Sequence, residues 1–122
     1  MVTIRDDYLG EKAYCEGLGY TLAQPRTPEQ NEALIALLDC YNIDAIWLDL
    51  QETGALEFTY NSDGAVLDQS TVGFTWATGQ PTELSSDLCV TLSMLWDDGA
   101  GYWGDLDCTL SGHQHQVQVC QA

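Results

Sequence analysis

The sequence predicts a single domain of the α+β class, because helical patterns and strand patterns occupy separate parts of the chain. Two helical patterns precede residue 42, and several short strand patterns follow it without alternating with helices. The length of 122 residues suits one domain, residues 1–122, and not two. A hydrophobic fraction of 45% is large enough for a core and argues against disorder.

The first helix is predicted over residues 7–18, where apolar side chains fall near one stripe and Gly19 follows as a helix-ending residue. The second is predicted over about residues 28–40. It begins with a capping box, in which the Thr27 hydroxyl accepts from the Gln30 amide and the Gln30 side chain reaches back. Apolar residues then recur at helical spacing: Leu34, Leu37, Leu38 and Tyr41.

Strand patterns rich in β-forming residues follow the helices. They lie at residues 46–50, 57–60, 88–92, 101–105 and 117–120. Between residues 65 and 87 no regular element is predicted. A loop of more than about 20 residues is uncommon in a compact domain and is usually functional. We therefore expect the binding surface in this long loop.

The net charge of −16 excludes several classes of function. Nucleic-acid binding needs a basic face, and the chain has only three basic residues, Arg5, Lys12 and Arg26. Docking on an anionic membrane is unexpected for the same reason, and no apolar run is long enough to cross a bilayer. The acidic residues after residue 26 are either solvated surface groups or ligands of a bound cation.

Five cysteines favour an extracellular protein over an intracellular one. None forms a Cys-x-x-Cys pair, so the spacing of zinc ribbons and thioredoxin-type sites is absent. In a small acidic domain they indicate two disulfides and one unpaired thiol, and their spacing leaves the pairing open. The start of the chain lacks the apolar stretch of a signal peptide, so a mature secreted chain is the expectation. The five are Cys15, Cys40, Cys89, Cys108 and Cys120.

An ordered set of motifs resembles the C-type lectin-like domain over about residues 8–120. The first helix ends in AYCEGLG at 13–19, and the second carries EQN at 29–31. WLDL at 47–50 stands where the family has Trp-Ile-Gly-Leu, and WATGQP at 76–81 and WGDLDC at 103–108 follow in the family order. The resemblance implies two helices packed on short antiparallel sheets, a long upper loop and two disulfides.

The resemblance also implies a disulfide pairing. It joins Cys15 to Cys120 and Cys89 to Cys108, which leaves Cys40 unpaired. Two interpretations of Cys40 remain open. It is either a buried free thiol at a helix end or the site of an intermolecular disulfide in a homodimer.

Sugar-binding members of the family hold a calcium ion in the long loop, and the resemblance implies where its ligands would lie. The family triplet around a cis proline is here Gln80-Pro81-Thr82, and the further acid is Asp87. The Asn-Asp pair after a tryptophan is here Gly-Asp at 104–105. The retained ligands are Gln80, Asp87 and Asp105.

Two ligand positions have lost their ligand. Thr82 stands where the family has Asp or Asn, and Gly104 replaces the Asn. Calcium affinity follows the number and charge of the oxygen ligands, so we expect most of it to be lost. Glu83 would compensate for Thr82 if the loop were shifted.

Two further groups of residues leave alternatives open. His113 and His115 would point the same way in an extended segment and suit zinc or copper, although exposed polar surface is the simpler interpretation. Trp76 and Trp96 lie in or near the long loop, where each would either stack on a sugar or brace the loop.

The expected function is that of a secreted lectin, with Gln80 favouring galactose-type sugars and microbial glycans as targets in innate immunity. The alternative is a domain that has lost calcium and sugar binding and binds a protein; ice binding is a weaker variant. An enzyme is not expected, because no nucleophile elbow or phosphate loop occurs, and the acidic pair at 97–98 suits a solvated turn. The candidate ligand-binding residues are Gln80, Thr82, Glu83, Asp87, Gly104 and Asp105.

Overall fold

The computed structural model describes residues 8–54, 57–81, 88–108 and 119–121. None of the helices in these ranges is long and apolar enough to span a membrane. In chain order the elements are α1 (Tyr8–Gly17), β1 (Thr21–Leu22), α2 (Pro28–Cys40), β2 (Ala45–Gly54), β3 (Glu57–Tyr60), α3 (Gln69–Val72), β4 (Leu88–Ser93), β5 (Tyr102–Asp107) and β6 (Cys120–Gln121).

Both predicted helices are confirmed, with a difference at the start of α2. The Thr27 hydroxyl accepts from the Gln30 amide at 3.1 Å, as a capping box requires. The Gln30 side chain, however, accepts from the amide of Arg26 at 2.8 Å and not from that of Thr27. The cap therefore also fixes the residue that precedes Thr27. Helix α1 ends one residue before its predicted end, and Gly19 follows with a left-handed φ of 82°.

Four antiparallel strands form the main sheet in the order β3-β2-β4-β5. The central strands are buried on both faces, which explains why the sequence of β4 is a nearly continuous apolar run. One face packs against a core that contains Leu48, Val90 and Trp103. The other face carries Trp47 and Cys89 and packs against a smaller core beside α1. Strand β5 runs to Asp107, two residues past its predicted end.

The second sheet pairs β1 with β6 and joins the two ends of the fold. Leu22 lies opposite Cys120, which forms a disulfide with Cys15 of α1. The second disulfide joins Cys89 to Cys108. Both pairings are therefore confirmed. The predicted last strand began at residue 117, and residues 117–118 lie outside the described part of the chain.

One of the two interpretations of Cys40 and one prediction about the long loop are wrong. Cys40 is free but exposed, because it lies on the solvent side of the end of α2, so it is not a buried thiol. The stretch after residue 65 also contains a short helix, α3. Asp68 caps this helix by accepting from the Ser70 amide, and Gly73 ends it with φ 73°. A single turn of helix is too short to show a periodic apolar pattern.

Candidate functional site

An aromatic cluster holds the first part of the long loop against the sheet. Phe74 stacks on Trp103 with a centroid distance of 4.0 Å, and Trp76 meets both rings edge-on. The Trp76 indole N–H donates to the side-chain oxygen of Gln69 at 3.0 Å. Of the two interpretations of Trp76, the structure therefore supports the one in which it braces the loop.

Backbone hydrogen bonds continue this attachment along β5, the edge strand of the sheet. The Trp103 amide donates to the Thr75 carbonyl at 3.0 Å, and the Trp103 carbonyl accepts from the Ala77 amide at 2.8 Å. The loop thus covers an edge that would otherwise expose unpaired backbone groups. We call residues 73–81 and 94–101 the upper loops.

Gln80 and Asp105, two predicted ligand-binding residues, lie side by side. The side-chain oxygen of Gln80 accepts from the Asp105 amide at 3.0 Å, two residues along β5 from the Trp103 contact. Its backbone amide donates to the Ala77 carbonyl at 2.9 Å. The Gln80–Pro81 peptide bond is cis, as the family resemblance implies. Asp105 itself is buried, with 2% of its surface exposed.

Gly104, the third predicted residue within the described ranges, lies under the Trp96 ring. A Cβ atom at position 104 would stand 2.5 and 2.7 Å from two carbons of that ring and 3.2 Å from the Gln80 amide carbon. Real Cβ atoms essentially never approach other heavy atoms within 3.0 Å. The absence of a side chain at Gly104 is thus what lets Trp96 pack there.

The turn that carries Trp96 is tied to the other upper loop and to β5. Asp97 accepts from the Thr78 amide at 3.0 Å. Asp98 accepts from the Tyr102 hydroxyl at 2.7 Å and from the Ala100 amide at 3.1 Å. The hydrogen bond from Tyr102, with that from Ala100, holds the pKa of Asp98 below its ordinary value. These contacts agree with the expected turn, but Asp97 also links two loops.

The described residues do not fit the calcium position that the family implies. Gly104 offers no side-chain oxygen, and Trp96 fills the space beside it. Across the described ranges, no three His, Cys, Asp or Glu side chains are grouped to hold a metal ion. The other predicted residues lie outside those ranges: Thr82, Glu83, Asp87, His113 and His115.

Sequence reasoning left the role of Trp96 open and missed Thr78. The hydrogen bond between Asp97 and Thr78 spans 19 positions, and no local sequence pattern predicts it. Gly104 at a position where the family has a side chain was the available indication. A glycine there suggests that another group closely approaches the backbone.

Comparison with known proteins agrees with this architecture. Human lithostathine has a TM-score of 0.74 at 18% identity, over 95% of this chain and 83% of that one. The mouse scavenger receptor C-type lectin carbohydrate-recognition domain has 0.72 at 17%, over 96% and 82%. TC14, a C-type lectin from the tunicate Polyandrocarpa misakiensis, has 0.70 at 20%, over 98% and 93%.

Because these sequence identities are low, the structural similarity establishes the fold and nothing more. The family is established separately, because the profile of the Lectin C-type domain matches residues 6–121, nearly the whole chain. The chain therefore belongs to the C-type lectin domain family.

Proposed function

We propose that this chain is an extracellular carbohydrate-recognition domain that binds glycans at the surface formed by the upper loops and the edge of β5. The observation that supports this most is the 3.0 Å hydrogen bond between Gln80 and Asp105. These residues are 25 positions apart, yet the fold places two candidate sugar-binding positions side by side. The matched family consists of binding domains, so we propose recognition and not catalysis.

The ligand class follows from the retained triplet and from similar structures. Gln80 resembles the first residue of a galactose-type triplet, so we propose galactose-type or microbial glycans, with a role in innate immunity. Two similar structures are named for their sugars. One is the SPL-1 complex with GlcNAc, and the other is the lectin domain of murine dendritic cell inhibitory receptor 2 in complex with N-glycan. The remaining candidate contacts are Thr82, Glu83, Asp87 and Gly104.

A glycan array, probed with and without a calcium chelator, tests this proposal. We expect binding to a defined set of glycans, and Gln80→Ala should weaken it because the variant removes a polar group from the centre of the surface. Asp39→Ala is the control, since Asp39 is exposed on α2, outside the upper loops. Absence of binding in both buffers, with the protein shown to be folded, would rule out a lectin.

A protein ligand is the second candidate, and the packing of Trp96 on Gly104 favours it. This contact removes a ligand position that calcium-dependent sugar binding uses. One similar structure is a calcium-independent type II antifreeze protein, so the fold also occurs in a protein that is independent of calcium. Capture of one partner by the folded domain, unaffected by chelator or free sugars, would favour this candidate over the lectin.

Secretion is proposed from the two disulfides, which persist in oxidising compartments. Thiol titration of the unfolded, unreduced protein tests whether the four cysteines of these two disulfides are oxidised. If the protein is isolated from an oxidising compartment, we expect no more than one reactive thiol for each chain: Cys40 titrates in a monomer, and no cysteine titrates in a dimer linked through Cys40. Titration of all five cysteines in that material would contradict the proposal.

A homodimer linked through Cys40 is proposed from the surface around that thiol. Exposed apolar residues of α2 and its C-cap share one helical stripe with Cys40. In a twofold dimer a residue near the symmetry axis meets its own copy, so pairing of this stripe would bring two Cys40 thiols together. We expect a dimer on a non-reducing gel that Cys40→Ser abolishes. Wild-type protein that stays monomeric without reductant would contradict it. The apolar residues are Ala33, Ala36, Leu37 and Tyr41.

A further inference from the structure

We infer that Trp96 holds the upper loops at the place where the family uses a calcium ion, so that the ligand surface forms without metal. Trp96 is therefore a positioning residue. This inference deepens the proposed function, and it rests on that function only for the nature of the ligand.

Trp96 and a ligand side chain at position 104 exclude each other. The Trp96 ring carbons lie 2.5 and 2.7 Å from the point where a Cβ would stand. The contact is with the rigid ring of an indole, which cannot move aside as the end of a flexible chain would. An Asn or Asp at position 104 would therefore require Trp96 to leave, and Gly104 allows it to stay.

Gln80 is held in place by contacts within the protein. Its side-chain oxygen accepts from the Asp105 amide at 3.0 Å, and its amide carbon is 3.2 Å from the same Cβ point at Gly104. Gln80 is therefore held between a backbone donor of the edge strand and the region that Trp96 covers. Its orientation has protein partners on both sides and needs no cation to define it.

The turn that carries Trp96 is itself fixed by hydrogen bonds. The Leu95 amide donates to the Ser93 hydroxyl at 3.1 Å, and the Gly99 amide donates to the Trp96 carbonyl at 3.0 Å. Asp97 then links the turn to Thr78 in the other upper loop. In metal-bound sites a cation cross-links separate loops through shared oxygens. Here the hydrogen bond from the Thr78 amide to the Asp97 carboxylate links the two upper loops, and the Trp96 indole packed on Gly104 anchors one of them to β5.

Thermal melting of the purified wild-type chain tests the inference without any variant. A ligand that binds only the folded state raises Tm by mass action. We expect the same Tm in millimolar calcium and in EDTA, and calorimetric titration with calcium should give no binding heat. A Tm that rises with calcium and falls with EDTA would overturn the inference. This readout does not involve a glycan, so it can fail or succeed independently of the lectin proposal.

Variants at the contact test the role of Trp96 itself. Trp96→Ala should lower Tm by about 5–10 °C, and Trp96→Phe should lower it less, because part of the ring contact with Gly104 is kept. Leu95→Ala is the matched control, since Leu95 lies in the same turn and is 51% exposed, and it should change Tm little. Equal effects of Trp96→Ala and Leu95→Ala would overturn the inference.

A double-mutant cycle then isolates the contact. Gly104→Ala should lower Tm in the wild-type background, because the new methyl group meets the Trp96 ring. In the Trp96→Ala background the same substitution should have a much smaller effect. Equal losses in the two backgrounds would show that Gly104 serves another purpose and would overturn the inference.

Discussion

Asp49 places a carboxyl group inside the fold and makes its stability depend on pH. It occupies the position of the glycine in the Trp-Ile-Gly-Leu pattern, and it is 2% exposed. Burial raises the pKa of its carboxyl group, although hydrogen bonds from Ser62 act in the opposite direction. A carboxyl group whose pKa is raised by folding stabilises the protein below its unfolded pKa. That contribution is lost as the pH rises through the folded pKa.

Asp49→Asn should therefore stabilise the domain at neutral pH and have little effect at a pH below about 3.5, where the wild-type carboxyl is protonated in both states. Asparagine keeps an oxygen acceptor for the Ser62 amide and carries no charge. Urea denaturation across pH measures the effect, with Asp39→Asn, at an exposed site, as control. A stabilisation that does not depend on pH would contradict this account of Asp49.

At the scale of elements, α2 is attached to the sheet by a buried polar contact as well as by leucines. The Trp103 indole N–H donates to the Asn31 side-chain oxygen at 2.9 Å, and both residues are buried. The same Trp103 ring supports the loop residue Phe74. Asn31 thereby connects α2, β5 and one of the upper loops.

Asn31→Leu should lower the free energy of unfolding by about 1–3 kcal/mol, because the Trp103 N–H would be left buried without its acceptor. Chemical denaturation measures this loss, and Glu32→Ala is the control, since Glu32 is exposed on the same helix. Near-ultraviolet circular dichroism of the tryptophans should change in Asn31→Leu and not in the control. A loss no larger than that of Glu32→Ala would contradict the role given to Asn31.

The start of α2 gives a second prediction at this scale. Thr27→Ala removes the acceptor of the Gln30 amide and should cost about 1 kcal/mol. Thr27→Ser keeps the hydroxyl group and should restore most of this loss. Equilibrium denaturation of the three proteins is sufficient, and an equal loss in both variants would contradict the capping role.

At the scale of the whole molecule, the two disulfides differ in the length of chain that they close. Cys15 and Cys120 are 105 positions apart, whereas Cys89 and Cys108 are 19 apart. In the chain-entropy model the longer closure is worth about 4.7 kcal/mol and the shorter about 3 kcal/mol. Replacing the first pair by serine should therefore cost more than replacing the second. Equal losses in denaturant titrations would contradict that ranking.

The sequence predicted those parts of the fold that depend on local patterns. The bounds of α2 followed from Thr27, Pro28 and the apolar spacing, and the two disulfides followed from the ordered motifs around their cysteines. At the site, the adjacency of Gln80 and Asp105 followed from the family resemblance. The place of Trp96 did not, because it depends on a turn fixed by contacts between segments distant in sequence.

A single experiment distinguishes glycan recognition on a metal-free surface from recognition that needs calcium. Wild-type protein is applied to a glycan array in EDTA and, in parallel, in calcium. We expect the same bound glycans at similar strength in both buffers. Binding that appears only with calcium would contradict the metal-free surface, and absence of binding in both buffers would contradict glycan recognition itself.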